Sequence, residues 1–256
     1  MSNNDPAGQT DSPIGRVVLV GGGPGAEDLI TVRGLRALEQ ADVVVADRLA
    51  PLGLLRDLGP EVEIVDVGKT PHHHPVPQDE INALLVQRAK KGKFVVRLKG
   101  GDPFVLGRGG EEVLACRMAG VPVEVVPGVT SAFAGPAAGD VPVTHRGVSR
   151  GVLVISGHDA LDVPSLVEWQ HTIVVLMGMR RLRELSAGLI RGGKAADTPV
   201  TVVQSAWTTE QRQVSASLER IADRVDTEGL GNPAVIVIGD VTRVLGDRRD
   251  GHESVE

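Results

Sequence analysis

Short apolar runs rich in valine alternate along this chain with segments whose apolar residues repeat at helical spacing. In the first half, the pattern predicts strands at residues 16–20, 43–46, 62–67, 94–97 and 121–126. Helices are predicted at 28–40, around 81–89 and after 109. Such alternation is typical of a mostly parallel sheet with helices on both faces. The sequence therefore predicts an α/β fold.

A second α/β unit is predicted after a connection at residues 140–147, which contains proline and glycine. Its strands are expected at 151–156, 172–177, 199–204, 213–216 and 234–238, and its helices at 180–191 and 218–225. We therefore expect an N-terminal domain at 16–145 and a C-terminal domain at 146–246. The polar ends, 1–15 and 247–256, are expected to be disordered tails.

Composition limits the kinds of partner that this chain can have. A net charge of -6 over 256 residues does not favour nucleic acid as the partner, because a basic face would be needed. The single cysteine, Cys116, excludes an internal disulfide and is expected to be a buried structural thiol. No apolar run approaches the ~18 residues of a membrane span. A cytoplasmic protein with a small-molecule ligand, and no membrane partner, is therefore expected.

The segment Arg97–Glu112 is the most informative motif, with five glycines among its sixteen residues. So many glycines indicate backbone that packs where a Cβ atom would obstruct. Asp102 follows Gly100 and Gly101, so its carboxylate could reach a ligand or could cap its own turn. Acidic residues then open a helix.

Several glycine-rich or charged positions directly follow predicted strands, namely 21–25, Asp47, Lys69, 100–102 and 127–132. Ligands of open α/β sheets bind beyond the carboxyl ends of the strands, so these positions predict one binding site. Asp47 could act there as a general base, or form a surface ion pair with Arg48. Lys69 could donate a proton or hold an anion, or it could be a solvated loop lysine.

The first glycine-rich loop allows a competing interpretation. Gly21-x-Gly23-x-x-Ala26, with Asp47 about 20 residues further on, fits the dinucleotide fingerprint. Against it, Pro24 lacks the backbone N–H that a pyrophosphate would require at a helix start. An NAD-linked oxidoreductase therefore stays open as an alternative.

Histidine and arginine side chains supply further candidates. The adjacent residues His72, His73 and His74 rarely direct three imidazoles at one ion, and no acidic or cysteine partner is suitably spaced, so no metal is expected. Basic residues in loops could line a trough for an anionic substrate, although each alone could equally be a solvated surface group. These candidates are Arg48, Arg108, His145, Arg146 and Arg150.

Five segments together resemble the tetrapyrrole methylase family: 20–31, 46–49, 67–69, 97–112, and 127–132 joined to 141–146. The resemblance runs from about Val17 to Val241. It implies two α/β domains with S-adenosylmethionine in a cleft between them, and a homodimer. It also implies methylation of uroporphyrinogen III at C2 and then C7, giving precorrin-2 for sirohaem or cobalamin. A later precorrin methyltransferase of corrin synthesis is the alternative within the family.

The resemblance also implies roles for single residues. Asp47 would be the proton acceptor and Lys69 the proton donor. The basic loop residues would bind the eight carboxylates of the substrate. The residues expected to bind the cofactor are Pro24, Gly100, Gly101, Asp102, Val105, Thr130, Ser131, Met177 and Ala206.

Overall fold

The computed structural model describes residues 13–68, 76–159 and 162–246, which form two compact units. The first unit holds the described residues up to Gly23 together with Glu27–Gly128, and the second holds Pro24–Ala26 and the described residues from Val129 onward. The unit therefore changes after Gly128, earlier than the boundary predicted at 145/146. The physical reason is the helix Ser131–Ala138, which packs on strands of the second sheet.

The first unit is built on a five-stranded parallel sheet of order β3-β2-β4-β1-β5. The strands are β1 (Arg16–Gly21), β2 (Val43–Ala46), β3 (Glu63–Asp66), β4 (Phe94–Lys99) and β5 (Val123–Val126). The helices are α1 (Val32–Leu38), α2 (Gln78–Lys90) and α3 (Gly109–Met118).

Apolar side chains of each strand in this unit point alternately to the two faces of the sheet. Val17 and Leu19 of β1 join a core with α2 and α3, whereas Val18 and Val20 join a second core with Leu38 of α1. Both faces are thus buried, which accounts for the nearly continuous apolar runs in the sequence.

The helix predicted at 28–40 is divided in the structure. A 3-10 turn, Glu27–Leu29, precedes α1, which begins only at Val32. Thr31 caps this helix, since its Oγ1 accepts a hydrogen bond of 3.1 Å from Gly34 N. The cap therefore sets a later helix start than the apolar spacing alone indicated.

The second unit has a five-stranded mixed sheet of order β6-β7-β10-β8-β9. Its strands are β6 (Val152–Ser156), β7 (Thr172–Leu176), β8 (Pro199–Gln204), β9 (Arg212–Ser217) and β10 (Ala234–Ile238). Only β6 and β7 pair in parallel, while β10 runs antiparallel to both of its neighbours and β9 antiparallel to β8. The predicted class, two α/β domains with parallel and mixed sheets, is confirmed.

Four α-helices in the described residues accompany the second sheet. They are α4 (Ser131–Ala138), α5 (Val163–Glu168), α6 (Leu182–Arg191) and α7 (Ile221–Glu228). Helix α4 packs on β7, β8 and β10, while residues of α5, α6 and α7 share a core with the sheet. Among the residues described, no helix has the length and apolar character needed to cross a membrane.

Candidate functional site

The first glycine-rich loop pairs with the loop that follows β4. Gly22 N donates to Lys99 O at 2.8 Å, and Gly23 and Gly101 exchange backbone hydrogen bonds of 3.2 and 2.6 Å. These amide groups are therefore already used within the unit. Five residues, which include a 3-10 turn, separate Ala26 from the start of α1 at Val32, so no α-helix N-terminus follows the loop directly.

Strand order also argues against the dinucleotide interpretation. The first four strands of a dinucleotide-binding sheet lie in the order 3-2-1-4, whereas here β4 lies between β2 and β1. With its loop amides engaged and its strand order different, the first unit is not a dinucleotide-binding fold. The NAD-linked alternative is wrong.

Backbone segments at this end of the sheet approach one another very closely. A Cβ atom added to Gly21 would lie 2.5 Å from Gly128 N and 2.6 Å from Gly101 O. Gly100 is similarly tight, since a Cβ there would lie 2.7 Å from Leu49 O. The expected close approach at the glycines is confirmed, and the neighbour at each of them is the backbone of an adjacent loop.

The Asp102 carboxylate is held by two backbone amides. Oδ1 accepts from Phe104 N at 2.8 Å, which caps the residue's own turn, and Oδ2 accepts from Gly128 N at 3.0 Å. The second bond ties the loop after β4 to the end of β5. The capping interpretation of Asp102 is thus confirmed, and its contact with a ligand stays a prediction.

Asp47, directly after β2, lies at the edge of a group of buried charges. Arg97 Nη2 is 2.5 Å from its Oδ1, and Lys99 Nζ is 3.8 Å from its Oδ2. The Asp47 side chain is 32% exposed, whereas Arg97 and Lys99 are only 2% and 4% exposed. The suggested surface ion pair with Arg48 is therefore wrong, because the partners of Asp47 are the two cations of β4.

Glu112 of α3 completes this group as a fully buried anion. Its carboxylate accepts from Arg97 Nε at 2.9 Å, and Lys99 Nζ lies 3.2 and 3.1 Å from its two oxygens. Gln78 Nε2 donates to the same carboxylate at 3.3 Å. Arg97 and Lys99 are two residues apart in one strand and so share a face, a signal that the sequence contained and that the motif analysis missed.

Burial and neighbouring charges shift the pKa of both cations. Desolvation lowers the pKa of Lys99, and the adjacent Arg97 guanidinium lowers it further, while Glu112 and Asp47 offset only part of this. Desolvation also acts to lower the pKa of Arg97, but Asp47 and Glu112 outweigh it and the net pKa is raised. Arg97 thus stays charged, and Lys99 holds its proton less firmly than a solvated lysine does.

Strained backbone marks the loops that carry the expected cofactor residues. Six non-glycine residues in the described part of the chain have positive φ: Leu106, Arg108, Asp140, Met177, Ser205 and Trp207. Met177 is itself an expected cofactor residue, Leu106 follows Val105, and Ser205 and Trp207 flank Ala206. Such conformations persist where surrounding structure enforces them and cluster at binding sites.

The second unit brings together three segments that carry expected cofactor residues. A Cβ added to Gly25, next to Pro24, would lie 2.7 Å from Ala206 O. Trp207 Nε1 donates to Ala134 O of α4 at 2.7 Å. Thr130, the N-cap of that helix, accepts from Ala132 N at 3.3 Å, and Ser131 begins the helix. Met177 follows β7 and is 49% exposed.

The basic candidates fall into two groups. Arg48 and Arg108 belong to the first unit, where Arg108 pairs with Glu111 through contacts of 2.8 and 2.7 Å that raise the pKa of the arginine. In the second unit, His145 and Ser149 close a tight turn through two backbone hydrogen bonds. This turn leaves Arg146 exposed, and Arg150 follows it, also exposed.

Two candidates cannot be placed in the structure. Lys69 and the triplet His72–His74 lie outside the described residues. Within residues 13–68, 76–159 and 162–246, no group of three or more His, Cys, Asp or Glu side chains could hold a metal ion.

Comparison with known proteins identifies the family. The sequence profile of the Tetrapyrrole (Corrin/Porphyrin) Methylases matches residues 16–222. The uroporphyrinogen-III C-methyltransferase of Methanocaldococcus jannaschii is 44% identical over 239 residues, covering 90% of this chain and 98% of the relative.

Two solved structures share the fold over most of their length. The uroporphyrin-III C-methyl transferase of Thermus thermophilus, complexed with S-adenyl homocysteine, is 42% identical with a TM-score of 0.76, covering 90% of this chain and all of the other. A cobalt precorrin-4 methyltransferase is 29% identical with a TM-score of 0.79, covering 89% of this chain and 95% of the other. Sequence profile, relatives and structures agree: the chain belongs to the tetrapyrrole methylases.

Proposed function

We propose that this protein is an S-adenosylmethionine-dependent C-methyltransferase that methylates uroporphyrinogen III at C2 and then C7, giving precorrin-2. The observation that carries the proposal is the 44% identity to a relative named for this activity, over 98% of that relative's length. The cobalt precorrin-4 methyltransferase, at 29% identity, supports the alternative of a later corrin methylation less well. Precorrin-2 would serve sirohaem or cobalamin synthesis.

The residues present fit the proposed cofactor. At or beside Val105, Met177 and Ala206 the backbone has positive φ, and the residues Leu106 and Met177 are 44% and 49% exposed. Exposed apolar groups beside ordered backbone suit an adenosyl group. We infer that the cofactor is held by Pro24, Gly100, Gly101, Asp102, Val105, Thr130, Ser131, Met177 and Ala206.

When bound, S-adenosylmethionine supplies a methyl group that its sulfonium makes electrophilic. The protein's own task is then to hold the electron-rich pyrrole carbon in line with that methyl group. Ring methylation is followed by loss of a proton, and we assign its acceptance to Asp47. The arrangement supports this role, since the carboxylate is held by Arg97 at 2.5 Å and still is 32% exposed.

Other groups would bind and neutralise the substrate. Uroporphyrinogen III carries eight carboxylates, which arginine binds well through paired hydrogen bonds. We assign these contacts to Arg48, His145, Arg146 and Arg150, with Arg108 joining them if it exchanges Glu111 for a substrate carboxylate. Lys69 is proposed as the proton donor. Assembly as a homodimer and a place in the cytoplasm complete the proposal.

The function is tested with purified protein in two steps. Calorimetry should show saturable binding of S-adenosylhomocysteine, and incubation with uroporphyrinogen III and S-adenosylmethionine should give a product carrying two added methyl groups by mass spectrometry. Absence of both results would overturn the proposal. Turnover of a later corrin precursor, with none of uroporphyrinogen III, would support the alternative.

The role of Asp47 is tested by Asp47→Asn, which keeps the shape of the side chain and removes the base. We expect turnover to fall by about 10²–10⁴-fold, with binding of S-adenosylhomocysteine unchanged. Asp66→Asn is the matched control, because Asp66 ends the neighbouring strand β3 and is exposed. Native turnover in Asp47→Asn would show that another group accepts the proton.

A further inference from the structure

The formal charges of the buried side chains next to Asp47 do not sum to zero. Arg97 and Lys99 contribute two positive charges and Glu112 one negative charge, with side chains 2%, 4% and 0% exposed. One positive charge is therefore left over, and the carboxylate of Asp47 is the group that faces it, 2.5 Å from Arg97 and 3.8 Å from Lys99.

Stability alone does not account for such a group. Taking three charges out of water costs several kcal/mol per ion, and well-packed apolar residues often replace buried ion pairs without loss. A single Arg97–Glu112 pair would already be neutral, and the hydrogen bond from Arg97 Nη2 to Asp47 Oδ1 does not require a second cation. Lys99 is the member that turns a neutral buried pair into a positive site.

The proposed substrate makes this surplus charge useful. A molecule with eight carboxylates creates a strongly negative potential, and a negative potential favours the protonated form of any nearby carboxyl group. A general base must be ionised before it accepts a proton. Asp47 therefore needs a compensating positive charge that the substrate's own carboxylates cannot reach and neutralise.

We propose that Lys99, anchored by Glu112, is a positioning residue that keeps Asp47 ionised as a base while the polyanionic substrate is bound. This inference rests on the proposed function. Lys99 meets the requirement because it is 4% exposed, so it compensates Asp47 without being available to bind a substrate carboxylate. Glu112 holds the ammonium in place with contacts of 3.1 and 3.2 Å to its two oxygens.

Few other titratable groups face Lys99 in the described part of the chain. From α3, Glu111 is within electrostatic range but pairs with Arg108, and Cys116 lies one turn beyond Glu112 with its pKa raised to about 11. From α2, the group that reaches the cluster is the amide of Gln78, which does not titrate. Among the described residues, the charge around Lys99 therefore depends mainly on Arg97, Glu112 and Asp47.

The first test is the pH dependence of kcat in Lys99→Met, because kcat reports the ionisation of groups in the enzyme–substrate complex. We expect the acid limb of the profile to move to higher pH because a cation 3.8 Å from the Asp47 carboxylate is lost, so that kcat falls about tenfold at acidic pH and recovers at higher pH. The KM for uroporphyrinogen III should change little, since Lys99 is buried.

Glu112→Gln tests the same idea in the opposite direction. Removing the anion leaves two buried positive charges, so the acid limb should move to lower pH. The double variant Lys99→Met/Glu112→Gln returns the buried charge to one, and its acid limb should lie near that of the native protein. A purely structural role predicts instead that the double variant is more impaired than either single one, at every pH.

Lys194→Met is the matched lysine control. Lys194 also has a pKa lowered by burial, but it donates to the carbonyl oxygens of Leu166, Val167 and Trp169 at 3.2, 3.4 and 2.9 Å, in the second unit. Its removal should leave the pH profile unchanged. Melting temperature and S-adenosylhomocysteine binding, measured for each variant, show which ones fold.

The outcomes separate this inference from the proposed function. If Asp47→Asn keeps native turnover, the assigned base is wrong and the role of Lys99 falls with it. If Asp47→Asn is impaired while Lys99→Met and Glu112→Gln keep the native acid limb, only the role of Lys99 is overturned. Should Lys99→Met fail to fold, the test is the acid limb of Glu112→Gln, which we expect to move to lower pH. An acid limb at the native position would then overturn the proposal.

Discussion

A few glycines and Asp102 determine how the loops pack at the edge of the first sheet where the candidate base, Asp47, lies. Gly21, Gly101 and Gly128 bring three backbone segments so close that a methyl group does not fit between them. Asp102 then bonds to Gly128 N at 3.0 Å and holds the loop after β4 against the end of β5. The glycines are thus required by the packing of loops, and that packing positions Asp102.

Gly21→Ala should destabilise the protein by about 1–3 kcal/mol, because the added methyl group overlaps backbone that cannot move aside as a side chain can. Urea denaturation measures this change. Gly110→Ala is the control: it lies in α3, no atom lies within 4 Å of its added Cβ, and alanine favours helix over glycine by up to about 1 kcal/mol. Equal stability of the two variants would contradict the packing explanation.

Among the elements of the second unit, helix α4 connects the sheet with the loop that carries Ala206. It packs on three strands, and it carries Thr130 and Ser131 at its start. The indole of Trp207 binds the carbonyl of Ala134 in its middle, and Gln211 Nε2 donates to Ala138 O at 2.8 Å near its end. The loop that carries Ala206 is therefore fastened to the helix by side chains rather than by its own backbone.

Trp207→Phe should weaken this connection, because the ring is retained while the N–H donor to Ala134 is lost. A typical hydrogen bond contributes about 0.5–1.5 kcal/mol, and we expect the looser loop to bind S-adenosylhomocysteine several-fold more weakly. Trp169→Phe removes a similar bond, Nε1 to Thr172 O at 3.0 Å, away from the residues proposed to bind the cofactor. It should lower the melting temperature but not the affinity, and an equal loss of affinity in both would refute the assignment.

At the scale of the whole molecule, each unit buries its own apolar side chains. Cys116 lies in the core of the first unit with no exposed surface, as its place in a helical apolar pattern predicted. Burial, and then the charge of Glu112, raise the pKa of its thiol from 9.0 to about 11. Its titration therefore links the stability of the fold to pH.

The sign of this effect follows from proton binding. Between pH 9.0 and about 11 the unfolded chain loses the thiol proton while the folded chain retains it. The contribution of the Cys116 thiol to the free energy of unfolding is therefore fully present below pH 9. It falls by about 2–3 kcal/mol as the pH rises through this window. Denaturation curves of the native protein and of Cys116→Ala, each at several pH values from 8 to 11, should show a shallower decline in the variant, and identical slopes would rule the linkage out.

Much of the fold followed from local pattern. Strand runs and helical spacing predicted two α/β domains and all ten strands to within two residues at each end, because apolar periodicity depends on neighbours along the chain. The short helix α5, Val163–Glu168, was not predicted, since six residues show less than two turns of periodicity. The boundary between the units at Gly128 also differs from the predicted one at 145/146. Its position depends on which sheet α4 packs against, and the local pattern does not contain that information.

The site was predicted unevenly for the same reason. Local sequence made Asp47, the loop after β4 and the small residues around Thr130 candidates, because strand ends and glycines are visible in the chain itself. It could not pair Arg97 and Lys99 with Asp47 and Glu112, which lie in separate elements and meet only through the register of β2 on β4 and the docking of α3. Residue types and their order along the chain thus determined the family and the chemistry available, whereas tertiary packing alone decided which charges are buried together, since desolvation and Coulomb energy depend on distances between elements.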